Sequence, residues 1–148
     1  MPLILTLVRE LAEYEQLSHE VVATEEDFRE SLFGERPVAE ALLGYAGGEP
    51  AGLALFFHNF STFLGRSGLY LEDLYVRPEY RGSGLGVALL SRVAGLARER
   101  GCGRLEWSVL KWNEPAIGFY ESVGAVAMDG WTVYRVTGED LRSLAGRA

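Results

Sequence analysis

Apolar residues recur at helical spacing from the start of the chain: Leu3, Leu7, Leu11 and Tyr14, with Ile4 and Val8 beside them. This pattern predicts an amphipathic helix over about 3–16. Thr24 opens a second helix. Glu25, Glu26 and Asp27 fill its first turn, and Asp27 stands at the reciprocal capping position. Phe28 and Leu32 give it an apolar side, and Gly34 stops it. The period then shortens. Residues 41–46 predict a strand, Gly47-Gly48-Glu49-Pro50 a hairpin turn, and 51–57 the returning strand. Residues 60–68 read as a loop. Residues 69–76 form a third strand, apolar except at Glu72 and Asp73, and Pro78 ends it.

A long helix over 84–100 follows, with Leu85, Ala88, Leu89, Val93 and Leu96 along one side and Gly101 as its C-terminal cap. Residues 104–110 predict a fourth strand. Asn113 caps a short helix that runs to about Val123 and ends at Gly124. Residues 131–136 read as a last strand, and 139–144 as a weak helix. The strand at 69–76, the helix at 84–100 and the strand at 104–110 make a βαβ unit. Its strands are expected to be parallel, with a right-handed crossover. The strands at 41–46 and 51–57 make an antiparallel hairpin. The fold class is therefore α/β (α+β mixed), a mixed parallel and antiparallel sheet with helices on both faces.

The length of 148 residues fits one domain, which hides roughly 70% of the surface of its unfolded chain. No repeat, low-complexity run or Pro/Ser linker divides it. A single cysteine, Cys102, excludes an intrachain disulfide and fits a reducing compartment. The first eight residues are apolar, but Arg9 and Glu10 interrupt them and no basic leader precedes them. They are taken as a helix start and not as a signal peptide. No apolar run reaches the roughly 18 residues of a membrane span. A cytoplasmic chain without membrane attachment is expected. The net charge of −7 disfavours nucleic acid and favours cations. His19 and His58 show no metal-ligand spacing, so no metal is expected.

The chemistry concentrates between the third strand and the long helix, in Arg81-Gly82-Ser83-Gly84-Leu85-Gly86. A helix N-terminus carries unpaired N–H groups and about half a positive charge. Glycines let a ligand approach the backbone, and Arg81 adds a cation. Together they form a cradle for a diphosphate. A P-loop would need Lys-Ser/Thr after the last glycine, where Val87 and Ala88 stand. A dinucleotide fingerprint would need a glycine at Val87 or at Leu89. What remains is Arg-Gly-x-Gly-x-Gly.

That run, set between strand and helix, resembles the acetyl-CoA-binding motif of the GNAT acetyltransferase superfamily. Tyr70-Leu71-Glu72-Asp73, the run from Trp112-Asn113-Glu114-Pro115-Ala116 to Tyr120, Gly130-Trp131, Leu11-Ala12-Glu13-Tyr14-Glu15 and Thr24-Glu25 extend the resemblance. They carry it to the spermidine/spermine (diamine) N-acetyltransferase group, over nearly the whole chain. The resemblance implies a GNAT fold in a single domain, acetyl-CoA as cosubstrate, and a homodimer. The family opens with a strand before its first helix, whereas this sequence starts inside what looks like that helix: either the start is late or the sheet lacks an edge strand. Lys111 stands where the family often has an acidic residue, and Asp129 where it has a glutamate.

Acetyl transfer to an amine requires a base, because an amine of pKa near 10 is mostly charged at neutral pH. It also requires a polarised thioester, an aligned attack and a proton for the thiolate. The resemblance assigns the base to Glu72, directly or through water, and the acid to Tyr120. Without it, Tyr120 is one residue of the apolar stripe Ala116, Phe119, Tyr120 and Val123. The cofactor is assigned to Leu74, Tyr75 and Val76, to Arg81, Gly82, Ser83, Gly84, Leu85, Gly86 and Val87, and to Asn113, Glu114, Pro115, Ala116 and Tyr120. The amine is assigned to Tyr14, Glu15, Glu72, Glu106, Trp107, Ser108 and Asp129, where carboxylates pair with ammonium and aromatic faces attract it.

The function expected is direct acetyl transfer to a polyamine-like amine. One alternative is a lysine-like amino acid such as thialysine, or a protein amine. Another is a non-catalytic acyl-CoA-binding sensor. An arginine that binds a carboxylate would favour the amino acid, and cofactor binding without thiol release would favour the sensor.

Overall fold

The structure is a computed structural model that describes residues 2–147. It divides into two compact units, Met1–Leu110 and Lys111–Ala148. In chain order the elements are α1 (Pro2–Tyr14), α2 (Glu25–Phe33), β1 (Glu40–Ala46), β2 (Glu49–Ser61), β3 (Arg66–Val76), α3 (Leu85–Glu99), β4 (Leu105–Trp107), α4 (Glu114–Ser122) and α5 (Gly138–Ala145). Single turns of 3-10 helix lie at Ser18–Glu20 and Pro78–Tyr80. Among the described residues no helix is long and apolar enough to cross a membrane.

Local chemistry sets the helix ends where the sequence expects. Thr24 Oγ1 accepts from the Asp27 amide and the Asp27 carboxylate accepts from the Thr24 amide, a closed capping box. Gly101, at φ 71°, ends α3, and the Cys102 amide reaches back to the Ala97 carbonyl at 2.9 Å.

The first unit holds one sheet in the order β1-β2-β3-β4. β1–β2 and β2–β3 are antiparallel, and β3–β4 is parallel with Leu69, Tyr70 and Leu71 opposite Leu105, Glu106 and Trp107. The expected βαβ unit is present. Helices cover both faces. On one, Ile4, Leu7 and Leu11 of α1 and Leu32 of α2 pack with Leu53, Leu55 and Tyr75. On the other, Leu85 and Leu89 of α3 lie against Gly44 and Gly52.

Three expectations are corrected. Residues 60–68 are not a loop: β2 runs on to Ser61 and β3 starts at Arg66, with Phe60 opposite Ser67 and only a short turn between. The Phe-Ser-Thr-Phe run carries no clear alternation, but cross-strand pairing holds it. The strand expected over 104–110 is only Leu105–Trp107, because the β3 ladder it pairs with is interrupted after Leu71. Residues 131–136 take no regular secondary structure. A strand needs a neighbour for its N–H and C=O groups, and the second unit has no other strand among its described residues. That unit consists of α4 and α5 with irregular chain between them.

Gly52 is buried between the backbone of β3 and the side chains of α3. A Cβ there would meet the Tyr75 carbonyl oxygen at 2.7 Å and Leu89 Cδ1 at 3.2 Å. Gly52→Ala should therefore lower unfolding stability by about 1–3 kcal/mol, read by urea or thermal unfolding. An unchanged midpoint would show that the β2–β3 backbone and α3 can both give way at no cost.

Candidate active site

The β2–β3 ladder slips by one residue. Leu55 stands opposite Asp73 and Phe56 opposite Leu71, so Glu72 is the extra residue of a β-bulge. The bulge has three consequences. Glu72 is exposed. The simple alternation that would send Glu72 and Asp73 to opposite faces is broken. Asp73, paired with Leu55 just as Tyr75 is paired with Leu53, shares the face that α1 covers.

The bulge also ends the parallel ladder. β3 is paired to β4 only from Leu69 to Leu71. From Glu72 to Val76, which includes Leu74, Tyr75 and Val76, the edge of β3 on the β4 side has no strand partner among the described residues. Such an edge offers backbone groups to an extended ligand.

β3 leads straight into the glycine loop. Gly82 and Gly84 have φ of 81° and 87°, the left-handed region, and an added Cβ would meet nothing within 4 Å at either. Torsion, not crowding, demands glycine there. Ser83 Oγ donates to the Tyr80 carbonyl and fixes the turn. The first helical bond of α3 runs from the Ala88 amide to the Gly84 carbonyl, so the amides of Leu85, Gly86 and Val87 lie ahead of it, as an anion site requires. These residues fit a diphosphate. Arg81 turns back from the loop. Its Nε donates to the Val76 carbonyl at 3.0 Å, and its guanidinium carbon lies 4.8 Å from the centre of the Tyr14 ring.

Tyr14 and Glu15 end α1. Burial raises the Glu15 carboxyl above its ordinary value. Burial, then the charges of Glu72 and Glu15, raise the half-buried Asp73 carboxyl from 3.8 to about 7. Among the described residues no cation forms an ion pair with Asp73. On β4, Glu106 is paired: Arg104 Nε lies 3.3 Å from its Oε1, which also accepts from Asn59 Nδ2. Ser108 Oγ is 2.6 Å from the Tyr70 hydroxyl, and Tyr70 stacks on Phe57. Trp107 is half-buried. Sequence reasoning gave no role to Asp73 or Tyr70. Both lie in the run Tyr70-Leu71-Glu72-Asp73 that it singled out, but only the bulge shows that they share a face with Glu106.

Glu10 ties this region together. Arg77 donates to both its carboxylate oxygens, at 3.1 and 3.0 Å, and the Tyr75 hydroxyl donates to one of them. An open groove of about 270 Å³ is lined by Glu10, Glu13, Tyr14, Tyr75, Pro78 and Arg81.

The second unit carries the other candidates. Asn113 Oδ1 accepts from the Ala116 amide at 3.4 Å and so caps α4. Glu114 and Pro115 occupy its first turn, and the Tyr120 ring lies 5.5 Å from that of Phe119. Asp129 is exposed, in a turn.

A family model described as the acetyltransferase (GNAT) family matches residues 6–125. The thialysine N-ε-acetyltransferase of Bos taurus is 43% identical over 155 aligned residues, which cover 97% of this chain and 91% of that one. The L-ornithine N5-acetyltransferase of Arabidopsis thaliana is 31% identical, covering 97% of this chain and 83% of its own. Among solved structures, an integron cassette protein from the mobile metagenome of V. cholerae matches with a TM-score of 0.78 and 27% identity, over 96% of this chain and 89% of that one.

The Asp73 proton gives a testable pH dependence. The folded chain keeps it at pH values where the unfolded chain has released it. Its stabilising effect is complete below pH 3.8 and fades as pH rises through about 7. Asp73→Asn should remove this slope. Urea unfolding at stepped pH should show the variant gaining on the unsubstituted protein across that window, and parallel curves would remove the shift.

Proposed function

We propose an acceptor from one premise: the chain belongs to the GNAT acetyltransferase family and is an amine N-acetyltransferase that takes its acetyl group from acetyl-CoA. The acceptor is the terminal side-chain amine of a small cationic amino acid of the thialysine or ornithine type. The observation that carries the reaction is the open edge of β3, from Glu72 to Val76, running into the glycine loop at the N-terminus of α3. An extended pantetheine arm fits the edge, and a diphosphate fits the loop. The names of the two curated relatives support the acceptor, since both act at the end nitrogen of an amino-acid side chain.

Glu72, Asp73 and Glu15 form the acidic surround that an ammonium group needs. Glu72, lifted out of the ladder by the bulge, takes the ammonium proton, directly or through water. The freed nitrogen lone pair attacks the thioester carbonyl carbon, the C–S bond breaks as the carbonyl re-forms, Tyr120 gives its phenolic proton to the thiolate, and the excess proton on the acylated nitrogen restores Tyr120 directly or through water. Tyr14, Glu106, Trp107, Ser108 and Asp129 complete the amine contacts, and Asn113, Glu114, Pro115 and Ala116 further cofactor contacts. A polyamine is the second reading, supported by the same acidic surround. The chain works as one catalytic domain, in the cytoplasm, as a homodimer.

Incubation with acetyl-CoA and thialysine, ornithine, lysine or spermidine, with liberated thiol followed, tests the acceptor. The amino acids should exceed spermidine in kcat/KM by at least about tenfold, a difference of about 1.4 kcal/mol. Coenzyme A binding without thiol release from any amine would favour the sensor instead. Tyr120→Phe should lower kcat about 10²- to 10⁴-fold with little change in the acetyl-CoA KM. Full activity would remove Tyr120 as the acid.

A further inference from the structure

We propose that Tyr14, at the amine-facing end of α1, is also a positioning residue for the cofactor, acting through Arg81. The inference rests on the glycine loop being the diphosphate cradle. Arg81 immediately precedes Gly82, so its side chain starts at the mouth of that cradle. Its guanidinium carbon lies 4.8 Å from the centre of the Tyr14 ring and 5.9 Å from that of Tyr75. Its Nε is held by the Val76 carbonyl at 3.0 Å. A guanidinium has five N–H donors, and the Val76 bond uses one of them. The plane of the group is thus set by an aromatic face and a strand carbonyl, while its terminal nitrogens can meet phosphate oxygens.

The ring that sets this plane is itself fixed. Glu10, one helical turn before Tyr14, is clamped by both arms of Arg77 and by the Tyr75 hydroxyl. α1 therefore cannot slide along β3 without breaking three polar contacts. A long arginine loses side-chain freedom when it binds an anion. Stacking on Tyr14 has removed part of that freedom beforehand, and preorganisation of this kind appears as affinity. The contact also links the two substrates physically, because the ring face that attracts the Arg81 cation belongs to a residue assigned to the amine.

The test is the dissociation constant of coenzyme A, measured by titration calorimetry on the full chain and on Y14L, Y14F, R81Q and Y14L/R81Q. Thermal melts confirm that each variant is folded. Y14L should weaken coenzyme A about two- to fivefold, the size of an exposed cation–π contact. Y14F, which keeps the ring face, should restore it. In the R81Q background Y14L should add nothing, because the two residues act as one unit. Y14L binding as tightly as the unsubstituted chain, Y14F as weak as Y14L, or losses that multiply in the double variant would each overturn the proposal. If the unsubstituted protein binds no coenzyme A, the cradle reading falls and this inference with it. If it binds well and Y14L is neutral, only this inference falls.

Discussion

One extra residue in β3 governs the first unit. Glu72 has no opposite number on β2, and a bulge both twists and bends the strand that carries it. Before it, β3 is an interior strand with neighbours on both sides. After it, the strand has only β2 as a strand partner among the described residues, and it runs into the loop that opens α3. Of the two backbone features that the proposed cofactor site uses, the unpaired strand edge follows from this slip in register, and the unpaired helix start from the glycine loop into which β3 leads. A regular β3 would extend its ladder to β4, close the edge and send Asp73 to the α3 side.

The two helices that flank this edge present opposite ends to it. α3 begins at the glycine loop, and a helix N-terminus attracts anions. α1 ends at Tyr14 close to the same loop, as the Arg81 contact shows, and a helix C-terminus attracts cations. Glu13 and Glu15 add to the second field, and Arg81 adds to the first. The two helix ends therefore favour opposite charges, an anion at the glycine loop and a cation at the end of α1. The Glu10–Arg77 pair, part-buried and shared with Tyr75, keeps these ends in register. Gly44 and Gly52 let α3 lie close on the opposite face.

Features set by neighbours in sequence were legible in the sequence. The Thr24–Asp27 box, the Gly101 stop, the Asn113 cap and the left-handed glycines of the loop each depend on a few consecutive residues, and the structure forms all of them. The βαβ unit was legible because a short, nearly continuous apolar run gives way to a long segment of helical period and then to another short run. The bulge was not, since it is a mismatch between two strands and neither strand alone records it. From it follow the short β4 and the common face of Asp73, Tyr70 and Glu106. The strand expected at 131–136 failed for a related reason: the β-branched and aromatic residues Trp131, Val133, Tyr134 and Val136 describe a strand's composition, whereas its existence requires a partner. The clamp of Glu10 by Arg77 joins residues that lie far apart in sequence, and spacing cannot show it.

The placement of the acidic groups has a further consequence for the acceptor. Asp73 feels its own burial and the charges of Glu72 and Glu15, and it answers by holding a proton up to about pH 7. A half-buried carboxylate beside two others is costly to ionise, and protonation relieves that cost where no cation pairs with it. An ammonium bound here, as proposed, would supply the missing positive charge and lower the affinity of Asp73 for its proton. Binding of the amine and release of that proton would then be linked, and the residues proposed to select a cation would also leave the site more able to accept the proton which that cation must lose before it can attack.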